Sequence, residues 1–399
     1  MKVDLMRKID YWAGIPICFL LSAIKTTRYK KDLPKKILFL EFSERGSAIL
    51  AYPAIKRAKE LFPEARIFFW IFKRNRDSID IPNIIPKENV ITMRDDTFYV
   101  MAKDTLSNLR KIRKEKMDIV IDMELFARFS AILTYLSGAR TKVGFYRFCQ
   151  EGLYRGDLHD VKVQYNPYLH ISLNFMALVQ SLKTSQKNAP LLKESLDDSE
   201  IKLPIIRYKK EKKEEIFQRL TKVKDTLGSN NKLVILNPTS SPLLPIRSWS
   251  IKNYRLLTER LLKDVNAFVV MIGLESNNTE KHMISSMVKH ERCIDLIGKT
   301  SMDELLDLFS IADLLISHDG GPVHFASLTK IDMIVLFGPE TPRCYSPLSS
   351  NATILYSNFA CSPCVSAYNH RHSACSDNKC LQAISVEDVY RASKKHLYK

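Results

Sequence analysis

The stretch LLISHDGGPVHFAS, residues 314–327, decides how the second half of the chain folds. Its apolar start is typical of a buried parallel strand, and the residues from Val323 onward are typical of a helix. Gly320 and Gly321 allow a positive φ and a close approach of the backbone to a ligand. Pro322 suits the first turn of a helix, because its missing N–H would be unpaired there. The stretch therefore predicts a strand, a tight glycine turn and a helix.

The turn between this strand and helix is also a candidate anion site. The first N–H groups of a helix have no partner within the helix and lie at the positive end of its dipole, which favours phosphate. His324 adds a donor to the same anion, and Asp319 at the strand end can hold a hydroxyl or orient a neighbour. Two other interpretations stay open: the glycine pair forms only a turn, and His324 is a surface or packing residue.

The first half of the chain begins with a similar alternation of strand and helix. Residues 36–42 and 66–71 are apolar runs that predict strands, and residues 53–62 between them have the apolar spacing of a helix. A further apolar run ends at residues 120–124. This order predicts a parallel sheet with helices on both faces, in which side chains at the carboxyl ends of the strands face a ligand.

The length of the chain and its polar stretches predict two domains. A chain of 399 residues is long enough for two domains, each with its own core. Residues 191–205 are polar and contain Pro204, so they predict a linker between a first domain, 34–190, and a second domain, 206–384. Residues 385–399 predict a terminal helix that crosses back onto the first domain.

The net charge of +17 indicates an acidic partner. Nucleic acid is the weakest candidate, because the chain has no zinc finger, RNA-recognition signature or basic helix with heptads. An anionic membrane surface and phosphorylated substrates remain.

Residues 1–33 combine an apolar stretch with a basic cluster. The uncharged run from Tyr11 to Ile24 is shorter than the roughly 20 residues of a spanning helix, and Gly14 and Pro16 interrupt it. An interfacial anchor is therefore favoured over a transmembrane helix. The basic residues that attract anionic lipid are Lys25, Arg28, Lys30, Lys31, Lys35 and Lys36. A helix packed on the protein and a cleaved signal peptide are the alternatives.

Residues 314–326, followed by IVLFGPETP at 334–342, resemble the donor-site signature of glycosyltransferase family 9, which includes the lipopolysaccharide heptosyltransferases. SGARTKVGF at 137–145 resembles the same family. The resemblance implies an α/β fold of the GT-B type, in which two Rossmann-like domains with parallel sheets face a central cleft. It also implies that the second domain holds most of a nucleotide sugar.

A loop after the apolar run 232–237 fits the same resemblance. In the family this loop carries small hydroxyl residues and a basic residue two before a Trp, which contact the donor phosphates. Arg247 stands two before Trp249, and its planar guanidinium can hold two phosphate oxygens at once. Glu275, after the next strand, is a candidate contact to ribose or base. The candidate donor-binding residues are therefore Thr239, Ser240, Arg247, Glu275, Asp319, Gly320, Gly321 and His324.

The turn after the first strand, SERGS at 43–47, is the candidate source of the catalytic base. In the heptosyltransferases the similar turn carries an Asp that is regarded as the base, whereas Ser47 stands at that position here. A serine hydroxyl takes up no proton at neutral pH unless another base activates it. Glu44 is the substitute candidate, with Glu41 behind it, and Glu124 is a competing base or holds an acceptor hydroxyl. The alternative is that Glu44 is a solvated loop acid and the base lies elsewhere.

Two further groups of residues have candidate roles. Arg147, Tyr154 and Arg155 are candidate contacts to an anionic acceptor. Four cysteines follow the spacing C-x2-C-x10-C-x4-C, which fits a tetrahedral structural zinc site: Cys361, Cys364, Cys375 and Cys380. Reduced or partly paired cysteines are the alternative, and no catalytic metal is expected.

Together these features predict an inverting, metal-independent glycosyltransferase. It would move a sugar, such as heptose from ADP-heptose, to a lipopolysaccharide-core or other lipid-linked glycan acceptor. The nucleotide sugar is a co-substrate, and no cofactor is required. The expected location is cytoplasmic, peripheral on the inner face of the cytoplasmic membrane. The alternatives are a catalytically inactive relative that binds nucleotide sugar, which Ser47 favours, and an adaptor at the membrane surface.

Overall fold

The computed structural model describes residues 3–25, 33–146, 152–184, 192–228, 230–240, 244–275, 284–285, 287 and 289–398. Arg28, Lys30, Lys31 and Arg147 lie outside these residues. The chain divides into two compact units. The first unit is Met1–Lys202 with Ser366–Arg371, and the second is Leu203–Val365 with His372–Lys399.

The first unit is built on a six-stranded parallel sheet. Its strands are β1 (Lys36–Leu40), β2 (Arg66–Phe72), β3 (Val90–Met93), β4 (Ile119–Asp122), β5 (Thr141–Tyr146) and β6 (Val161–Gln164). They lie in the order β3-β2-β1-β4-β5-β6, the doubly wound order of a Rossmann fold. The order reverses between β1 and β4, where Leu40 lies opposite Asp122. Ligands of such sheets bind outside the carboxyl ends of the strands at this switch point.

The second unit repeats this arrangement. Its strands are β7 (Lys232–Asn237), β8 (Ala267–Met271), β9 (Cys293–Asp295), β10 (Leu314–His318), β11 (Asp332–Phe337) and β12 (Ala352–Tyr356). They are parallel and lie in the order β12-β11-β10-β7-β8-β9, which is the same doubly wound order counted from the other edge. The switch point lies between β7 and β10. The predicted architecture of two Rossmann-like domains with parallel sheets is confirmed.

In the part of the chain that the structure describes, helices precede, connect and follow these strands. In the first unit they are α1 (Val3–Trp12), α2 (Gly14–Ala23), α3 (Arg45–Leu50), α4 (Tyr52–Leu61), α5 (Asp77–Asp80), α6 (Phe98–Glu115), α7 (Arg128–Leu136) and α8 (Ile171–Gln180). In the second unit they are α9 (Lys210–Val223), α10 (Ile251–Asp264), α11 (Met302–Ile311), α12 (Gly321–Ala326), α13 (Pro342–Tyr345), α14 (Lys379–Gln382) and α15 (Val386–Leu397). Within the described ranges, no helix combines the length and the apolar character needed to cross a membrane.

The terminal helix α15 packs within the second unit, so the expectation that it crosses back onto the first domain is wrong. Val389, Tyr390 and Leu397 are buried in the core that also contains residues of α10 and β10. The Tyr390 hydroxyl donates to Asp264 Oδ2 at 3.0 Å, and Arg260 lies 4.0 Å from the centre of the Tyr390 ring. The apolar side of α15 is therefore already covered by its own unit.

Gly144 in β5 is packed tightly against a buried side chain of the first unit. A Cβ added there would lie 2.4 Å from Nε2 of the buried His159, whose ring contacts Asp122 Oδ2 at 3.2 Å. We expect Gly144→Ala to destabilise the protein by about 1–3 kcal/mol, because the ring must move off Asp122. Urea unfolding measures this change. Gly228→Ala is the control, since its Cβ would meet only the Asn231 side chain at an ordinary 3.5 Å. Equal stability of the two variants would contradict the expectation.

Candidate functional site

The carboxyl ends of β7 and β10 bring several of the predicted donor residues together. Thr239 and Ser240 follow β7, and Asp319 follows β10. Arg247 lies in a 3₁₀ turn, Pro245–Arg247. Its Nη1 lies 3.0 Å from Asp319 Oδ2, and both side chains are largely buried. Both residues were predicted as ligands, but the ion pair between them, which holds the guanidinium at the switch point, was not predicted.

The glycine turn has a different conformation from the one predicted. Gly320 has φ 175°, which is extended backbone, and Gly321 is the first residue of α12, so the expected positive φ is wrong at both positions. A Cβ at Gly321 would meet no atom within 4 Å, and one at Gly320 would meet its nearest neighbours at 3.9 Å. The absent side chains therefore leave open space over the first N–H groups of α12. With only six residues in α12, these local N–H groups matter more than the helix dipole.

Thr239, just after β7, has a buried hydroxyl. The residue is 6% exposed, and its Oγ1 has no hydrogen-bond partner among the described residues. Gly273, with φ 137°, makes room for it, because a Cβ there would lie 2.1 Å from Thr239 Oγ1. A buried hydroxyl without a partner is costly, so a ligand oxygen at this position would be stabilised. The neighbouring Ser240 accepts a hydrogen bond from the Ser248 hydroxyl.

The remaining predicted donor residues differ in exposure. His324 is buried in α12, and Glu275 is exposed after β8, where it lies beside Gly298.

His318, at the end of β10, was not singled out from the sequence. Burial, and then the charge of Arg247, lowers the pKa of His318 to about 4. His318 is therefore neutral at pH 7, and its Nδ1 lies 3.4 Å from the Tyr254 hydroxyl.

At the switch point of the first unit, Glu124 ties the end of β4 to the end of β1. Its Oε1 accepts the N–H groups of Phe42 at 2.6 Å and Ser43 at 2.8 Å, and its Oε2 accepts the Ser43 hydroxyl at 2.9 Å. Burial is the main reason that the pKa of Glu124 is raised, although these hydrogen bonds oppose it. The carboxylate has a clear structural task, which makes it the weaker of the two candidate bases.

Glu44 is held by an arginine that was not predicted from the sequence. Glu44 precedes α3 and forms an ion pair with Arg371. Arg371 is the last residue of the segment Ser366–Arg371, which belongs to the first unit. The buried Glu41 is close to both. Burial raises the pKa of Glu41 well above its ordinary value, Glu124 and Glu44 raise it further, and Arg371 opposes them. The first switch point therefore combines three carboxyl groups with one cation.

Aromatic contacts fix the segment that carries Arg371. Tyr368 stacks on Phe126 with ring centres 6.1 Å apart and meets Tyr165 edge-on at 5.7 Å. His370 and Arg371 have φ of 50° and 55°, and the Arg371 N–H donates to the Ser366 carbonyl at 2.9 Å. Two consecutive left-handed residues without glycine leave no signal in the sequence, so this segment could be found only in the structure.

Asp122 and Arg155 form a buried network below this site. Arg155 donates to Asp122 and, at 3.1 Å, to the Glu124 carbonyl, and Ser130 donates to Asp122 at 3.0 Å. These contacts make Asp122 a structural residue of the core. The expectation that Arg155 contacts an acceptor is wrong, because its side chain is fully buried and already paired.

The C-terminal cysteines differ from one another in their surroundings. Cys375 is exposed and its thiol donates to the Asp377 carbonyl at 3.0 Å, whereas Cys380 is buried and burial raises the pKa of its thiol. Cys364 accepts a hydrogen bond from Ser373 at 3.3 Å. Across the part of the chain that the structure describes, no three His, Cys, Asp or Glu side chains are placed to hold a metal ion. The zinc site considered from the spacing is not assembled here.

Residues 105–374, about two thirds of the chain, match the family model of glycosyltransferase family 9 (heptosyltransferase). The chain belongs to glycosyltransferase family 9. The family resemblance predicted from residues 314–326 is confirmed, and so is the GT-B architecture. As a member of family 9 the chain is a glycosyltransferase.

Individual relatives cover different shares of the chain. It is 27% identical to lipooligosaccharide heptosyltransferase 2 of Haemophilus influenzae over 113 residues, which are 28% of this chain and 33% of that relative. It is 22% identical to lipooligosaccharide heptosyltransferase 2 of Haemophilus ducreyi over 327 residues, 80% of this chain and 88% of that one. The ADP-heptose lipopolysaccharide heptosyltransferase II structure of Escherichia coli matches with a TM-score of 0.67 at 16% identity, over 91% of this chain and 98% of that one. The structural match supports the fold alone.

Proposed function

We propose that this family 9 chain is an inverting glycosyltransferase that moves heptose from ADP-heptose to a lipopolysaccharide-core or other lipid-linked glycan acceptor. One observation carries the proposal: in the second unit, the Arg247–Asp319 ion pair lies where a doubly wound sheet binds its ligand. Family membership supports the reaction class. The name of the Escherichia coli structure supports ADP-heptose as the donor.

In this proposal the second unit binds the donor diphosphate. The diphosphate oxygens would accept hydrogen bonds from the backbone N–H groups of Gly320 and Gly321 and from the hydroxyls of Thr239 and Ser240. The Arg247 guanidinium has five N–H donors, so it can contact phosphate while Nη1 stays with Asp319. Fixed donors that stabilise the leaving ADP lower the barrier without reorganising during the reaction. His324 would act from α12, and Glu275 would contact ribose or base.

The first unit would supply the general base. The acceptor hydroxyl oxygen forms a bond to the anomeric carbon as the bond from that carbon to the diphosphate oxygen breaks. ADP leaves with the electron pair, the anomeric configuration inverts, and the hydroxyl proton passes to the Glu44 carboxylate. Glu124 would keep the turn 42–44 in place, and no cofactor or divalent metal takes part in these steps.

A donor panel tests this function directly. We expect ADP and ADP-heptose to raise the melting temperature, because they bind the folded form, and UDP or GDP to raise it less. Mass spectrometry should then detect one heptose added to a heptose-deficient lipopolysaccharide core. If the protein bound ADP-heptose but transferred no heptose, the alternative of a catalytically inactive relative would be supported. If it bound no nucleotide sugar, the proposal would be refuted.

Arg371 is a positioning residue in this scheme. Arg371→Gln should lower kcat about tenfold, because it removes one hydrogen-bonded ion pair that holds Glu44 in a single orientation. The KM for ADP-heptose should stay unchanged, since the donor contacts lie in the other unit. Arg371→Lys keeps the charge and should recover most of the activity. Loss of donor affinity, or no recovery with Lys, would contradict the role.

A second candidate function has a specific observation in its favour. Ser47 stands where the family carries its acid, and it is buried in α3. If Glu44 is bound to Arg371 only for stability, the chain would bind nucleotide sugar without transferring it. An active wild-type protein decides against this candidate.

The proposed location is the cytoplasmic face of the inner membrane, where a lipid-linked acceptor would be presented. The net charge of +17 supports attraction to anionic lipid.

A further inference from the structure

Helix α2 is apolar on every side but covered on only one. Its sequence, GIPICFLLSA, contains no charged residue, and its buried residues are Gly14 and Cys18. On the opposite side Phe19 and Leu20 are 64% and 63% exposed, and Ile24, just past the helix, is 68% exposed. A helix that is apolar all round is normally enclosed, so the uncovered side calls for an apolar environment that the described part of the chain does not provide.

Specific contacts fix which side of α2 faces the protein. A Cβ added at Gly14 would lie 2.7 Å from Arg128 Cβ, so the helix backbone rests directly on that side chain. Cys18 packs with Ala131 and Leu158. The Ser22 hydroxyl accepts the Asp157 N–H at 2.7 Å. These contacts prevent α2 from rotating to bury its exposed residues.

Helix α1 extends the same kind of surface. Leu5, Ile9 and Trp12 recur at four- and three-residue spacing, on one side of the helix, and are 50%, 37% and 76% exposed. Away from them, Asp10 accepts the Arg128 N–H at 3.0 Å and pairs with its guanidinium at 3.3 Å. The one described acidic side chain of α1 is thus neutralised, while Lys8 remains exposed.

We infer that this surface docks on an anionic lipid bilayer. We call it the apolar face and define it as Leu5, Ile9, Trp12, Phe19, Leu20 and Ile24. Apolar side chains, an aromatic ring and neighbouring cations are the combination that binds the interface of an anionic membrane. The contacts of Gly14, Cys18 and Ser22 hold one side of α2 against the protein along its length, so the helix lies on the membrane without crossing it. The inference deepens the proposed membrane location by naming the side chains that enter the lipid.

Vesicle flotation with a double variant tests the apolar face. The probe is vesicles of phosphatidylethanolamine and phosphatidylglycerol. We expect the wild-type protein to float with them and Phe19→Glu with Leu20→Glu to bind about tenfold or more weakly, because two carboxylates would enter the lipid interface. The matched control is Phe98→Glu with Tyr99→Glu in α6, which changes two residues that are 58% and 75% exposed by the same charge. The control should float like the wild type.

Tryptophan fluorescence gives an independent readout. Of the three tryptophans, Trp70 and Trp249 are fully buried, so Trp12 is the one that reports a change of solvent. Its emission should shift to shorter wavelength when vesicles are added. Trp12→Phe should lose this response and still float.

Three results would overturn the inference. The wild type could fail to float, or the Phe19→Glu, Leu20→Glu variant could float as well as the wild type, which would show binding by net charge alone. Alternatively, gel filtration could show a lipid-free dimer that the double variant breaks, which would assign the face to a second copy. ADP binding, measured by thermal shift on the same variants, should not change. A failure of donor binding would thus be distinguishable from a failure of membrane docking.

Discussion

Arg247→Ala is expected to weaken ADP binding at least about a hundredfold. One hydrogen-bonded cation at a phosphate contributes about 1.5–3 kcal/mol. In addition, the buried Asp319 loses its partner, and an uncompensated carboxylate would repel the diphosphate, which adds to the loss. Isothermal titration calorimetry of ADP measures the effect, and circular dichroism checks that the variant is folded.

The control for this change is Arg260→Ala. Arg260 also lies in the second unit and pairs with a carboxylate, Glu387, but it lies on α10 beside the terminal helix. Its removal should leave ADP affinity unchanged, whereas Arg247→Lys should retain part of the affinity because it keeps the charge but not the planar fork. Wild-type affinity in Arg247→Ala would place the diphosphate elsewhere.

Glu44→Gln is expected to reduce kcat by roughly 10²- to 10⁴-fold, the usual contribution of a general base. The amide keeps the shape of the side chain but cannot accept the hydroxyl proton at neutral pH. ADP affinity should not change, because Glu44 belongs to the first unit. Steady-state kinetics with ADP-heptose and a lipopolysaccharide-core acceptor separate these two effects.

Glu124→Gln is the matched comparison in the same turn. The amide oxygen can still accept the N–H groups that fix the turn 42–44, so we expect a smaller loss of kcat and a lower melting temperature. If instead Glu124→Gln abolishes turnover and Glu44→Gln does not, the roles assigned to the two carboxylates are reversed.

Several of the strands could be predicted from the sequence because a buried parallel strand leaves a local signal. All five residues of β10 are buried. Burial on both faces requires a nearly continuous apolar run, and that run predicts the strand. The order of the strands decides which loops meet, however, and it is set by packing of the whole sheet. Arg247 and Asp319 were therefore both proposed as ligands while their mutual ion pair was not foreseen.

Other features depended on backbone conformation or on distant segments. The turn at Gly320 is extended, so the glycines matter for the space they leave, not for a positive φ. Arg371 reaches Glu44 only because Tyr368 anchors its segment to the first unit. Arg155 was predicted to contact an anionic acceptor because sequence alone does not show that it pairs with Asp122 in the core. Pairings of this kind need the three-dimensional structure.

Hydrogen–deuterium exchange with and without ADP shows where the diphosphate binds. We expect ADP to slow exchange of the backbone N–H groups at 239–240, 247–249 and 319–324, and to leave exchange in the strands away from the β7–β10 switch point unchanged. Protection confined to other parts of the chain, with none at 319–324, would contradict the assignment of the diphosphate to the glycine turn.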